Sequence, residues 1–390
     1  MNYNEFFPIE AQKIVSLLME KGFSAYFVGG CVRDYYLGRF ADDYDITTDA
    51  TSKEITDVLE SAKIRTFLKG RKFGTVSARI NELEFEITPH RIEDDYTDHR
   101  HPEKVSFVKE LEKDLSRRDF TINALALYEK NQKEYLYDPF DGKGDIQRKI
   151  IKCVGSPEKR FEEDALRILR AVRFSVQLGF EIEEKTAQAI KNKLSLLKYI
   201  SAERKAQELR KAFANGLPQK VLADFPEVFS EILGNTRFDI YGFSKGGFCE
   251  CLFFILKDDT FETTEKAVFS LKLSSYESET VLSYKKIYDM GVSAKNLSEI
   301  VLRYGKFLKK YSEIFGGISM IEEFLYDETL PKSLKELNIG GLDLKNMGFC
   351  GAQISGTLEK MFSAVLLRKT ENKKEALQIY AEEIRKDICK

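Results

Sequence analysis

Two aspartates separated by one residue, Asp43 and Asp45 in the run DDYDITTDA, are the first place where this chain could do chemistry. The residues around Tyr44 to Thr47 predict a strand, and side chains two apart on a strand leave the same face. Two carboxylates side by side repel each other strongly at low effective dielectric unless a cation lies between them. Hard oxygen donors of this kind suit magnesium, which keeps part of its water shell and binds through one or two carboxylates plus substrate phosphates. A bare Asp-x-Asp is most often a solvated strand surface. Here GGCVRDYYLGR precedes it. Gly29-Gly30 at the end of an apolar strand lets the backbone come close to a triphosphate, and the helix that follows aims N–H groups at it. Arg33, in the first turn of that helix, adds a charge-assisted contact.

A second constellation is EDALRILRAVRF, Glu163 to Phe174. Written on one helix, Asp164, Arg167, Arg170 and Arg173 follow each other at i, i+3 spacing, with Ile168, Leu169, Val172 and Val176 on the opposite side. The plain reading is a salt-bridged surface helix. The functional reading is recognition of a base. A carboxylate accepts from the exocyclic amine of cytosine or adenine, and a neighbouring arginine donates to the acceptor beside it. Asp164 and Arg167 would then admit C and A and reject G and U.

The third segment is DLSRRDFTINALAL, Asp114 to Leu127, followed by the turn-rich DPFDGKGDI. Arg117, Arg118 and Asp119 are either an ion-paired cluster at a helix start, with Thr121 and Asn123 as caps, or phosphate-binding groups. HRIEDDYTDHRHPEKV, His90 to Val105, reads as a long polar loop, and loops of this length are functional or disordered.

The elements that must position these residues fall into two parts. The first 150 residues alternate: a helix from Ile9 to Lys21, a strand from Ala25 to Val28, a helix from Val32 to Leu37, the strand with the aspartates and a helix from Ser52 to Ser61. A hairpin of Gly74 to Ile80 and Leu83 to Thr88, turning at Asn81-Glu82, follows. This order predicts an α+β domain with a small mixed sheet. From Ser156 onward the helical period runs almost unbroken, which predicts an all-α remainder with breaks at Gly216-Leu217-Pro218, Gly234-Asn235, Gly246-Gly247, Gly316-Gly317 and Gly340-Gly341.

Composition narrows the classes further. The 390 residues carry 61 Lys and Arg against 63 Asp and Glu, a net charge of −2, which excludes a generic nucleic-acid-coating protein. Any RNA must be held by a local basic surface, such as the lysines and arginines clustered from 190 to 220. The six cysteines are scattered and read as reduced thiols. All 3 histidines fall between His90 and His101, which argues against histidine-based metal chemistry in the C-terminal part. No secretory signal and no apolar stretch of membrane length are expected, so the expected location is the cytoplasm.

GGCVRDYYLGRFADDYDITT, RRDFTINALA, DPFDGKGDI and EDALRILRAVRF resemble, in order, the successive motifs of the class II tRNA nucleotidyltransferases, the CCA-adding enzymes with their poly(A) polymerase and A-adding relatives. SAERKAQELRK at Ser201 to Lys211 resembles the next motif, and LNIGGLDLKNMGFCGAQISGTLEKMFSAVLLRKTENKKEAL resembles the family's C-terminal tail. The resemblance implies a nucleotidyltransferase head of the DNA polymerase β superfamily at 1–148, then a helical neck at 149–215, body at 216–320 and tail at 321–390. It implies addition of C, C and A to the tRNA 3′ end from CTP and ATP, without a nucleic-acid template, by two-metal chemistry with Mg2+. The implied partners are tRNA, CTP and ATP, with no membrane and no protein partner.

Carried onto this chain, the resemblance gives magnesium to Asp43 and Asp45. It gives the nucleotide to Gly29, Gly30, Arg33, Arg118, Asp119, Asn123, Asp164, Arg167, Arg170 and Arg173, with Glu163 bracing Arg167. Glu86 would be the third acidic residue. Ala352 stands where many relatives have proline, and the downstream phosphohydrolase domain of some bacterial relatives is not expected. The segment at His90 to Val105 is intact, whereas relatives that add only CC are shortened there. An A-adding or poly(A)-adding enzyme would share every motif, and a catalytically dead RNA-binding paralogue would be expected to lack the aspartate pair.

Overall fold

The computed structural model describes residues 2–69, 73–96, 102–234, 246–315 and 318–388. The chain divides into two compact units, 1–212 and 213–390.

The first unit opens with α1 (Tyr3–Phe6), α2 (Ile9–Glu20), β1 (Ala25–Val28), α3 (Gly30–Tyr36), β2 (Ile46–Thr48), α4 (Ser52–Ser61), β3 (Arg65–Leu68), β4 (Val76–Ile80) and β5 (Leu83–Pro89). It continues with β6 (Arg91–Tyr96), β7 (Pro102–Phe107), α5 (Leu111–Ser116), a 3-10 turn at Thr121–Asn123, β8 (Ala126–Lys130), β9 (Lys133–Tyr137), α6 (Gly142–Arg148) and β10 (Ile150–Ile151). It ends with α7 (Pro157–Glu163), α8 (Leu166–Leu178), β11 (Glu181–Ile182), α9 (Glu184–Asn192) and α10 (Ala202–Ala212).

Seven strands form one mixed sheet in the order β3-β4-β5-β2-β1-β8-β9, in which only the β2–β5 pair is parallel. Local chemistry fixes its corners. Thr51 and Glu54 make a reciprocal capping box at the start of α4. Asn131 and Gln132 both take positive φ in the two-residue turn between β8 and β9, the geometry whose twist matches a hairpin. Strand alternation feeds two cores. Phe27 stacks on Phe7 at 4.1 Å, while Tyr26 and Val28 join Leu115, Ala124, Ala126 and Val154. Each fully buried ring of this kind contributes roughly 1.5–3 kcal/mol.

Four expectations need correction. The strand around Tyr44 to Thr47 begins only at Ile46, so Asp43 and Asp45 lie in the segment just before β2 rather than on it. Aspartate is a poor strand former, although Val28 N still donates to the Asp45 carbonyl at 3.0 Å. The polar loop at His90 to Val105 is an antiparallel ribbon of β6 and β7, with Arg91 opposite Phe107 and Glu93 opposite Val105. Its strand pairing was hidden by a lack of apolar alternation, and residues 97–101 at its tip, including His99 and His101, lie outside the described residues. The helix through EDALRILRAVRF is two helices, α7 and α8. Asp164 between them is extended at φ −137°, ψ 105°, and its carboxylate accepts from Leu166 N at 3.0 Å, the local bond that lets short acidic side chains end one helix and begin another. Finally, β11 pairs in parallel with β10, a two-residue interruption of the helical region.

In the second unit every described regular element is helical, from α11 (Gln219–Asp224) to α20 (Lys374–Ile388), with a buried aromatic cluster of Phe253, Tyr284 and Tyr311. The expected break at Gly316-Gly317, like Asn235, lies outside the described residues. Ala352 is the first residue of the helix Ala352–Leu366, the position where proline costs least, so alanine is accommodated there. No helix of the described residues is long and apolar enough to cross a membrane.

Candidate active site

A cavity of about 300 Å³ within the first unit is lined by Gly29, Gly30, Arg33, Asp34, Asp43, Asp45, Arg118, Asp119, Asn123, Arg170 and Phe174, among others. Residues from three separate motifs thus meet in one place. Gly29 is the floor. Its φ of +79° disfavours any L side chain, and a Cβ there would stand 3.1 Å from Arg118 Nη1. The glycine therefore admits both the turn from β1 into α3 and the approach of Arg118.

The cations are held in place by carboxylates. Arg33 pairs with Asp34 at 2.9 Å and donates to Asn123 Oδ1 at 2.7 Å. Asn123 in turn donates to Asp119 Oδ1 at 3.1 Å, and Arg170 donates from Nε to Asp119 Oδ2 at 2.6 Å. Thr121 and Asn123 do not serve as helix caps: Thr121 donates to Asp145 at 2.7 Å, and Asn123 is the bridge between Arg33 and Asp119. Burial would raise the Asp119 carboxyl, but the guanidinium groups of Arg170 and Arg167 override it and hold it at about 2. Asp114 behaves alike, at about 2, because Arg117 and Arg118 outweigh its burial.

The acidic pair is placed differently. Among the described residues, neither Asp43 nor Asp45 has an ion-pair partner. Burial raises the Asp45 carboxyl above its ordinary value; Arg118 works against this, and Glu86 and Asp43 add to it. The pair also lines a second cavity of about 390 Å³, shared with Tyr44, Lys69, Glu84 and Glu86. Extending the parallel register of Ile46 with Ile87 by one residue sets Asp45 beside Glu86, and Glu86 pairs with Lys69 at 2.8 Å. No three His, Cys, Asp or Glu of the described residues converge closely enough to enclose an ion by themselves. Two hard oxygen donors on an open cavity, without ion-pair partners among the described residues and with Asp45 disfavoured as an anion by burial, fit a divalent cation whose other ligands are water and phosphate.

Asp164, Arg167 and Arg173 are not among the residues lining the first cavity. Arg167 is buried, with three of its five N–H donors on Glu163 Oε2 (2.9 Å), the Arg117 carbonyl (2.7 Å) and the Arg160 carbonyl (3.4 Å). Burial pushes the Glu163 carboxyl up, with Arg160 and Arg167 opposing. Asp164 pairs with Arg204 at 3.3 Å, and Arg173 pairs with Glu208 at 2.5 Å. Both partners lie on α10, one turn apart, inside the Ser201 to Lys211 motif. Sequence reasoning assigned no role to Asp34, Arg204, Glu208, Lys69 or Phe174. Adjacency in Val-Arg-Asp and the i, i+4 spacing of Arg204 and Glu208 were the available signals.

A mixed sheet that carries an acidic pair beside β2, opposite a glycine turn and converging arginines, defines a template for nucleotidyl transfer. Residues 25–152 match the family described as the poly A polymerase head domain, and residues 179–225 match a probable RNA and SrmB binding site of polymerase A. A CCA-adding enzyme of Staphylococcus haemolyticus is 33% identical over 96% of this chain and 97% of its own. One of Staphylococcus aureus is 46% identical, but the match spans 52% of this chain and only about half, 49%, of that protein's length. Among solved structures, the Bacillus stearothermophilus CCA-adding enzyme in complex with CTP superposes with a TM-score of 0.74 at 27% identity, covering 97% of this chain and 98% of that one. A Thermotoga maritima CCA-adding enzyme, at a TM-score of 0.68 and 21% identity over 96% and 95%, shares the fold. The chain belongs to the CCA-adding enzyme family of tRNA nucleotidyltransferases. Nucleotidyltransferases of this family use a divalent metal.

Proposed function

We propose that this chain adds C, C and A to the 3′ end of tRNA from CTP and ATP, without a nucleic-acid template, in the cytoplasm. The observation that carries the reading is the partnerless pair Asp43 and Asp45 standing between a cavity walled by Arg33, Arg118 and Arg170 and a second cavity with Glu86. In the reaction the terminal ribose 3′-hydroxyl releases its proton to solvent, its oxygen bonds to the α-phosphorus of the nucleotide, the bond from that phosphorus to the oxygen bridging to the β-phosphate breaks, and pyrophosphate leaves. Asp43 and Asp45 would hold Mg2+, with Glu86, which lines the same second cavity, as the third carboxylate. The metal, when bound, supplies Lewis-acid stabilisation of the charge that develops on the phosphoryl oxygens.

The chain's own residues do the rest. Gly29 and Gly30 let the phosphates approach the backbone, and Arg33, Arg118 and Arg170 bind them while Asp119 and Asn123 fix the arginines. Asp164 accepts from the amino group that cytosine and adenine share, and Arg167, braced by Glu163, offers its remaining donors to the neighbouring acceptor. Arg173 supports this helix from behind. The head at 1–148 does the chemistry, the neck at 149–215 selects the nucleotide, and the body at 216–320 and tail at 321–390 hold tRNA through its phosphates.

One incubation tests this. A tRNA lacking its CCA end, and beside it one already ending in CC, is offered CTP alone, ATP alone and both together, with Mg2+. The expected products are two added C residues with CTP and a complete CCA with both. Addition of A only to tRNA already ending in CC, a long A tail, or binding without extension would each overturn the reading in favour of an A-adding enzyme, a poly(A) polymerase or an inactive paralogue.

A further inference from the structure

Phe174 sits in the wall of the first cavity, 6% exposed, at the end of EDALRILRAVRF. Three guanidinium groups gather on its ring. The Cζ atoms of Arg33 and Arg170 lie 5.2 Å from the ring centroid, and that of Arg173 lies 4.0 Å away. These arginines come from two elements, Arg33 from α3 and the others from α8. Phe120 meets the same ring edge-on at 5.8 Å and 85°, fixing its orientation. Each arginine has its own carboxylate, Asp34, Asp119 and Glu208 respectively. That neutralises the cluster without explaining why it converges on an aromatic ring.

The ring face carries negative charge density that attracts a cation within ~6 Å, and guanidinium planes in particular stack on it. We propose that Phe174 is a positioning residue: its π face holds Arg33 and Arg170 in the orientation that grips the nucleotide triphosphate, with Arg173 behind them. The inference rests on the reading of this cavity as the nucleotide site and goes on to name what organises its cations. Long flexible arginines lose conformational freedom when they bind a ligand, so a platform that orders them beforehand tightens binding without touching the substrate. The base-reading pair Asp164 and Arg167 does not rest on this ring, so the effect falls on phosphate affinity and spares base selection.

The test replaces Phe174 in the full-length protein by 4-fluoro-, 3,5-difluoro- and 3,4,5-trifluorophenylalanine, which weaken the π face in steps at nearly constant volume, and adds Phe174→Leu as a second probe. Binding of CTP, ATP and the nucleoside cytidine is measured by calorimetry with Mg2+, beside KM, kcat and the thermal midpoint. Expected is a stepwise rise in Kd and KM for both triphosphates, reaching roughly tenfold in the trifluoro variant. Cytidine binding, kcat within about twofold, the CTP-to-UTP preference and the thermal midpoint should be preserved. A flat series, or losses that follow a falling thermal midpoint, would overturn the platform and leave Phe174 as core. If Phe174→Leu does not fold, the fluorinated series still decides. Failure of the unmodified protein to bind CTP or extend tRNA would instead strike the reading of the site itself.

Discussion

Asp119 receives both Nε and Nη2 of Arg170 on one carboxylate oxygen, at 2.6 and 2.5 Å, and so ties α8 to the Arg117–Asn123 segment. Its other oxygen accepts from Asn123, which holds Arg33, so one buried carboxylate sets the spacing of two arginines across the cavity.

That carboxylate carries a pH signature. Its folded value of about 2 lies below the ordinary 3.8. The ionised form is therefore favoured by the fold, which makes the contribution fully present above pH ~4 and lost as pH falls toward 2. The gap corresponds to roughly 2–3 kcal/mol for a group this buried. Urea unfolding followed by helical circular dichroism from pH 6 down to 3 should show stability falling with acid. Asp119→Asn should be less stable at pH 6 and show a shallower acid slope, with the remaining slope shared by Asp114 and by other carboxylates also held below their ordinary values, such as Glu54 and Asp327. An unchanged slope would mean that the Arg170 pair contributes nothing net.

Asp43 and Asp45 should separate activity from stability. Replacing either by alanine is expected to leave less than a few per cent of wild-type turnover, because on the proposed reading both carboxylates hold the metal. Asp45→Asn should also raise the thermal midpoint of the metal-free protein, since burial disfavours the charge that the substitution removes. Each kcal/mol relieved gives roughly 2–4 °C. Retained turnover would exclude the pair as the metal ligands, and a lowered midpoint would exclude the proposed strain.

Much of this site was legible before any coordinates, and the reason is chemical. Gly29, Arg33, Asp43 and Asp45 stand out through their succession of strand, glycine pair, helix and spaced carboxylates, and Arg118 only through the family resemblance, since its own segment left an ion-paired cluster equally open. Elements between Ile9 and Thr88 were readable in part, since the apolar run at Ala25–Val28, the alternation at Val76–Ile80 and the Asn81 turn are local signals, whereas β3, β8, β9 and α6 were not assigned. What escaped was long-range or side-chain-made. Asp164 breaks a helix through its own hydrogen bond to Leu166 N, and no periodicity reports that. The β6–β7 ribbon sets polar residues such as Arg91 and Glu93 opposite the apolar Phe107 and Val105, so β6 offers no apolar run that would mark it as a strand. Phe174 reads as one more core residue on α8 until three arginines from two helices are found on its ring.

Gly29 should be intolerant of even a methyl group. Alanine would strain the backbone at φ +79° and push Arg118 Nη1 from its 3.1 Å approach. The backbone term costs on the order of 1–3 kcal/mol. Gly29→Ala is expected to lose about that much stability and to weaken CTP and ATP binding together, measured by urea unfolding and calorimetry. Wild-type affinity in a destabilised protein would show that Arg118 does not need this glycine to reach the phosphates.

The sharpest prediction concerns the choice of nucleotide. Asp164 is held by Leu166 N and Arg204, and Arg167 by Glu163 and two backbone carbonyls, so both are preset rather than free to adapt to any base. A site preset to accept one amino group and donate to one acceptor rejects U and G because its own buried groups would be left unpaired, at ~1–3 kcal/mol for each. Asp164→Ala and Arg167→Ala should therefore narrow the gap between CTP or ATP and UTP or GTP by roughly tenfold or more, beyond any loss of rate. Arg167→Lys should behave like the alanine variant, since an ammonium keeps the charge but cannot match the planar fork that Glu163 and the Arg117 carbonyl now orient. Glu163→Gln should fall between, keeping the contact while weakening the brace. The measurement is kcat/KM for all four nucleotides on a tRNA primer of fixed length. Equal losses toward all four would make Asp164 and Arg167 structural groups of the α7–α8 break, and base selection would have to be sought among the residues that line the cavity itself.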